Sequence, residues 1–447
     1  MKMKRGLVAF TLLAAFFVLL GWTEARVHMV YPDGSGAYSV IQEAIDSSAD
    51  GDTVMLVDGI YAGRGNMDLR YYGKAITLCS QSGNAASCLI DVRGEVNEAA
   101  ERGFIFDNGE DTLSVLRDLT IINGSADGPC PACEGGAIYA HLSSPKIVNV
   151  ICRANYAASG AAIMVTRGNP IIRNCQLVNN TAIDGGGLLC IDSSNVKVEN
   201  CLFSGNHCDL RGGGISLQSG TVVSLINCTI SNNRALQGAA LASWEADYIV
   251  QNSIISYGRD SSWIYAYGQS DFTFTYSDIF GNAGGDWIAP IDSQGGINGN
   301  ICSNPLFADT SSGDFRLTQN SPCIDTGNPA SPPDPDNTRA DMGAFYFHHG
   351  VAVDDDISKP MVFSLSRNYP NPFNAATTIE FSLGRPSEVT IDIYDLLGRA
   401  VAMLDLGRMS PGRHEVSWNA GDNPSGVYFY RLRVDGDSET RRMVLLK

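Results

Sequence analysis

The chain has 447 residues, 44% of them hydrophobic, 9% aromatic and 18% charged, with 47 Gly and 12 Cys. That length exceeds what one small core needs, so several domains or one long repeat array are the options. Forty-eight acidic against 31 basic residues give a net charge of −17, which argues against any partner held mainly through phosphates, nucleic acid above all.

At the start, Lys2, Lys4 and Arg5 precede an apolar run from Leu7 to Leu20, and Thr23 and Ala25 stand where a signal peptidase reads small residues. Residues 1–25 are therefore expected to be an export signal removed after Ala25. The run is about 14 residues against the roughly 20 that a spanning helix needs. No later stretch approaches that length, so no transmembrane helix is expected after its removal.

Ser39 and Gln42 follow at capping-box spacing, and Ile41, Ala44 and Ile45 share one helical face. A short helix here would cover the open end of the next domain, whose first coil is expected to begin at Asp52.

Residues 26–347 form the next expected domain, and its middle repeats itself every 24 to 27 residues. VNVICRAN, RNCQLVNN, ENCLFSGN and INCTISNN carry Asn149, Asn174, Asn200 and Asn227, and GGAI, GAAI, GGLL, GGIS and GAAL precede them or fall between them in register. Short β-rich units at this period predict one coil of a parallel β-helix each, roughly ten or eleven coils in all. Each Asn interrupts the alternation of apolar residues, which predicts a bend that Asn supports in the left-handed conformation, with its amide bonded to the next coil. Cys175, Cys201 and Cys228 follow the Asn and are expected to be buried free thiols, because neighbouring Cβ atoms of stacked coils stay about 4.8 Å apart. Cys130 with Cys133 and Cys302 with Cys323 remain as disulfide candidates.

Chemistry on such a solenoid would sit on its outer faces. Tyr139, Met164, Leu189, Ser216 and Ala242, then His141, Thr166, Ile191, Gln218 and Trp244, are expected to point outward, and neither series holds a carboxylate. Two catalytic constellations remain: Glu134 with Asp184, two coils apart, and the cations Lys146, Arg173 and Lys197, which could serve a lyase as base and neutraliser. Each has an ordinary alternative as solvated turn acids or cross-coil charge pairs. Trp244, Trp263, Tyr265 and Tyr267, with His141, are the candidate binding residues, since flat aromatic faces stack on sugar rings; the alternative for the aromatic cluster is a place in the core and cap of irregular coils. No cofactor and no metal are expected; calcium at Asp334–Asp341 is the one candidate, and it fails the usual loop pattern at Thr338.

The entry SVIQEAIDSSADGDTVMLVDGIY, the N-C-x-[IL] and G-G-x-I repeats, and the exit NPLFADTSSGDFRLTQNSPCIDTGNP with DMGAFYF together resemble the secreted bacterial right-handed parallel β-helix proteins of the pectin-lyase-like superfamily. That resemblance implies an all-β fold and leaves activity open, since lyases, hydrolases and adhesins share it. An acidic linker, residues 348–360, separates it from residues 361–447, where TTIEFSL, VTIDIYD, HEVSW and GVYFYRLRV predict a small β-sandwich. NYPNPFN, IYDLLGRAV, GRHEVSWNA and SGVYFYRL resemble the C-terminal sorting domain of type IX secretion and the immunoglobulin-like domain of flagellar hook-capping proteins. The resemblance implies a secreted or surface-attached protein that engages the secretion machinery; the aromatic candidates point to an extracellular polysaccharide or cell-surface glycan as a further partner. Two functions are expected to compete: a non-catalytic binding surface, and a polysaccharide lyase or glycoside hydrolase.

Overall fold

The structure, a computed structural model, describes residues 25–93, 101–349 apart from Pro131 and Ser261, and most of 363–446. The expected export signal and most of the acidic linker lie outside the described residues. The chain divides into two units, residues 1–349 and 350–447.

The first unit is a parallel β-solenoid of about nine turns. Each coil has four short sides. In one coil Ile138–His141 forms the first side, Lys146–Arg153 the second and third with a bend at Asn149, and Tyr156–Ser159 the fourth. The next coil stacks in register, with Ile163 on Ile138, Ile172 on Ile147 and Ala182 on Ala157. Fewer coils form than expected because the regular strands of the stack end at Phe280; after a last parallel bridge of Ile301 to Asp278, Phe307–Asp309 and Asp314–Leu317 pair as an antiparallel hairpin instead.

The stack also starts earlier than expected, at Val27–Val30, which pairs in parallel with Thr53–Leu56. The helix Ile41–Ser47 buries Ile41, Ala44 and Ile45 in the solenoid core. Its N-terminus lacks the expected capping box. The Ile41 amide donates to Asn66 Oδ1 at 2.9 Å and the Ser39 amide to Glu43 Oε2 at 2.8 Å, so a neighbouring coil supplies the acceptor that Ser39 was expected to provide.

Asn149, Asn174, Asn200 and Asn227 occupy one bend with φ of 51°, 55°, 52° and 50°. Their side chains form a broken series: Asn200 Nδ2 donates to Asn174 Oδ1 at 3.1 Å, but Asn149 turns to Asp118 and Asn227 to the Asp341 carbonyl. The continuous ladder lies at the following bend. There Asn155, Asn180, Asn206 and Asn233 are all buried. Asn206 Oδ1 accepts from both the amide and the Nδ2 of Asn180 at 3.0 Å, while its own Nδ2 donates to Asn233 Oδ1 at 3.0 Å and to the Leu177 carbonyl at 2.7 Å.

Cys175, Cys201 and Cys228 form an inward column of free thiols. The Cys175 amide donates to Cys201 Sγ at 3.3 Å, and Ser253 Oγ takes the same role for Cys228 at 3.0 Å. Burial pushes the Cys228 thiol up to about 12. Cys130 and Cys133 are bridged. Cys302 and Cys323, in contrast, are both free, because the buried Cys323 thiol donates to Asp278 Oδ2 at 3.3 Å while Cys302 lies exposed.

At the far end Trp263, Phe274 and Ile291 fill the last coils, with Trp287 packed edge-on against Phe274. The Asp325–Phe347 segment lies along the outer wall instead, with the Asn328 and Gly343 amides donating to Asn252 Oδ1 and to its carbonyl oxygen. In the second unit a three-stranded and a four-stranded antiparallel sheet share a core that includes Phe381, Ile391, Trp418 and Tyr430.

Removing one rung of the buried ladder orphans several enclosed polar groups at once, each worth about 1–3 kcal/mol. Asn206→Ala is expected to destabilise the solenoid by about 3 kcal/mol or more in urea unfolding, and Asn200→Ala, at the solvent-facing bend, by about 1 kcal/mol. Asp278 supplies a pH test. Its carboxyl is fully buried and accepts the Ser303 amide at 3.0 Å, and burial pushes its pKa up to about 7. A raised carboxyl stabilises the fold fully below its unfolded value near 4 and loses that contribution as the pH rises through 7. Asp278→Asn is therefore expected to raise Tm at pH 8 and to approach wild type near pH 4; a Tm difference independent of pH would contradict this.

Candidate surface site

The first and fourth sides of the coil meet at a corner made by Gly135, Gly160, Gly185, Gly212 and Gly238, all with φ between 64° and 69°. A Cβ at Gly212 would lie 2.6 Å from the Ile215 carbonyl oxygen, so the turn admits glycine. This corner brings outer residues of the two sides against each other. Tyr139, Met164, Leu189, Ser216 and Ala242, expected at the surface, are instead buried in the crease, and Ile105, Tyr139, Met164 and Leu189 form an apolar cluster there.

Carboxylates do enter this crease. Phe104 stacks under Ile138, which puts Asp107 in register with His141 one coil before the expected series begins. Asp184 reaches in from the fourth side, accepting Arg211 Nη2 at 2.7 Å, Ser216 Oγ at 3.0 Å and Gln218 Nε2 at 3.0 Å. Burial raises the Asp184 carboxyl, against the opposing effect of Arg211 and these hydrogen bonds.

The crease has two polar ends. At one, the Arg211 guanidinium lies 4.9 Å from the centre of the Trp244 ring, and Trp244 and Tyr267 have ring centres 4.3 Å apart. These two rings are exposed, at 38% and 50%. Tyr265 is half-buried in the adjoining column. Trp263 does not join them: it is fully buried, with its ring N–H donated to the Asp286 carbonyl at 2.9 Å, because its position faces the solenoid interior.

At the other end Arg102 lies 4.9 Å above the Tyr139 ring, and the Tyr139 hydroxyl has the Glu134 carboxylate as a neighbour. Burial, reinforced by Glu134, pushes that hydroxyl up to about 12. Arg70 pairs with Asp107. His141 stacks on Tyr139 with ring centres 6.1 Å apart, and its enclosed Nδ1 has no hydrogen-bond partner among the described residues. Glu134 and Asp184 are linked in register through Ser159, yet they belong to opposite clusters, one on Tyr139 and the other on Arg211. Extending the G-G-x-I alignment one coil back to FIFD would have found Asp107; nothing in the spacing announces Arg102.

The basic candidates sit elsewhere, on the second side. Lys146 and Lys197 share a column with Ile171 between them, while Arg173 shares another with Val148 and Glu199. Glu199 engages Lys197 at 2.5 Å and Arg173 Nε at 2.7 Å. Burial would raise the Glu199 carboxyl, but these two cations hold it below its ordinary value. In the Asp334–Asp341 segment the carboxylates accept backbone amides: Asp334 from Asp341, Asp336 from Thr338 and His349, and Asp341 from Asp325 and Phe347. His349, expected at the start of the linker, closes this loop by bridging Asp325 at 3.1 Å and Asp336 at 3.4 Å. Among the described residues no group of three or more His, Cys, Asp or Glu side chains is arranged to hold a metal.

The second unit carries a different kind of information. Residues 367–446 match the secretion system C-terminal sorting domain. The protein is therefore exported, secreted or attached to the cell surface, and the sorting domain engages the type IX secretion machinery. No curated protein matches the chain. Among the described residues no helix is long and apolar enough to cross a membrane.

Among the described residues Arg211 is the one cation paired with the enclosed Asp184, and removing one partner of such a pair costs about 3–5 kcal/mol. Because both side chains retain some exposure, at 21% and 13%, Arg211→Ala is expected to fall at the lower end of that range. Asp184→Asn in the same chain is expected to restore most of the loss. A double-mutant cycle by chemical unfolding measures this, and additive losses would refute the pairing.

Proposed function

We propose that the solenoid is a non-catalytic binding surface displayed outside the cell, which takes a glycan along the crease with Trp244 and Tyr267 as its stacking platform. The observation that carries this reading is the exposed aromatic pair at one end of a long crease. The rings offer flat apolar faces, and Arg211, Gln218 and Asp184 beside them offer hydrogen-bonding groups to sugar hydroxyls. The acids and bases that a lyase or hydrolase would use are engaged with one another: Asp184 with Arg211, and Glu199 with Arg173 and Lys197. In this reading export removes residues 1–25, and processing near residues 348–360 separates the sorting domain. The likeness to pectin-lyase-like proteins then reflects shared architecture rather than shared activity.

A second reading, a polysaccharide lyase or glycoside hydrolase, is favoured by one cluster, Glu134 with Tyr139 and His141, where an imidazole nitrogen has no partner among the described residues. The two readings separate in one experiment. The exported protein is passed over neutral and acidic polysaccharides while retention, new reducing ends and unsaturated-product absorbance are followed. Retention without turnover is expected, weakened about tenfold by Trp244→Ala or Tyr267→Ala, a loss of about 1.4 kcal/mol. Turnover abolished by His141→Ala or Glu134→Gln would overturn the binding reading. Intact mass of the surface form checks the two processing steps.

A further inference from the structure

On a different side of the coil, the hairpin Phe307–Leu317 stands off the solenoid wall and leaves a cleft of about 670 Å³ between them. Its walls carry Arg153, His207, Arg234 and Arg259, and among the described residues none of its lining groups is a carboxylate. In a chain of net charge −17, that local reversal of sign needs an explanation. His207, Arg234 and Arg259 occupy one column on three consecutive coils, and Arg153 lies two coils before His207 through the Arg153, Val178, Ser204 register. With coils about 4.8 Å apart, the four cations span roughly 19 Å along the solenoid axis. Arg234 is partly offset by Asp260 at 3.2 Å and His207 by Asp209 at 3.2 Å, whereas Arg153 and Arg259 are exposed and form no ion pair among the described residues.

We propose that this cleft is a second binding site, for an acidic polysaccharide strand whose carboxylate or sulfate groups are seated on Arg153, Arg234 and Arg259. Guanidinium groups take both anions through paired N–H donors. Their repeat along the axis matches an extended polymer with regularly spaced charges better than a single small anion. The hairpin supplies the opposite wall with the hydroxyls of Thr310 and Ser312, groups suited to sugar hydroxyls. The site shares no residue with the crease and does not depend on what the crease binds.

The test uses the exported protein and its Arg234→Ser, Arg259→Ser double variant, with chondroitin sulfate, polygalacturonate, polyglutamate and dextran as probes. Wild type is expected to bind chondroitin sulfate or polygalacturonate at low salt, with affinity falling as salt rises. The double variant is expected to bind at least tenfold more weakly with an unchanged Tm, and Trp244→Ala to bind as wild type does. The carboxylate-only and sulfated probes distinguish the two anion sources. Equal binding by the variant, equal binding of dextran, or binding of polyglutamate as tight as that of the polysaccharides would overturn the proposal. Loss through Trp244→Ala instead would assign acidic glycans to the crease, and so overturn it as well.

Discussion

The fold depends on keeping each coil in register with the next, and the buried Asn155, Asn180, Asn206, Asn233 ladder is what fixes it. Each inner amide of this series is held by the coil on either side and by a carbonyl oxygen, in a region from which water is excluded. A slip of one residue would bury an amide without partners, at a cost comparable with a large part of a domain's net stability. The ladder stops at Gly258, where the glycine amide is instead taken by Asn282 Oδ1 at 2.8 Å. The coils become irregular over the same stretch, and the chain departs soon afterwards into the hairpin and the outer-wall segment.

Register turns a one-dimensional pattern into columns, and the columns decide the surface chemistry. A residue type repeated at the same point of successive coils becomes a line of like groups about 4.8 Å apart. Where that line is charged, the chain either inserts an opposite charge, as Glu199 does between Lys197 and Arg173, or leaves the line only partly offset beside a cleft, as at Arg259 and at Arg234 with its Asp260 partner. The first arrangement is a self-neutralised wall. The second concentrates positive potential that the net charge of the chain conceals.

Much of this was legible before any coordinates. Repeat spacing and the period-2 alternation inside each unit are strong signals, so the solenoid, the left-handed bend at Asn149, Asn174, Asn200 and Asn227, and the inward thiols could all be anticipated. The second Asn of each unit was visible in the repeat too, but Asn180 and Asn206 carry no local sign of being buried; their role comes from the coil above. The crease was illegible for a related reason. Alternation says that Met164 and Leu189 point away from the core, and only the glycine corner turns that outward direction into a second apolar interior. Trp263 fails in the opposite sense, since a tryptophan in an irregular coil gives no clue to which side it faces. The Asp278 contact with Cys323 spans 45 residues, and a pairing of that range cannot be read from spacing.

The crease and the cleft lie on different sides of one rigid stack, and this separation follows from the fold rather than from either site. Inward positions are tied to the ladder and the thiol column and tolerate little change, while outward positions in successive coils vary without disturbing them. Aromatic residues gather on the first side late in the stack, at Trp244, Tyr265 and Tyr267, and cations gather near the third-side bend over nearly the same coils. An exported solenoid can in this way carry an aromatic platform and a cationic one side by side, each assembled from single residues contributed by separate coils, with neither requiring a loop to order or a domain to close.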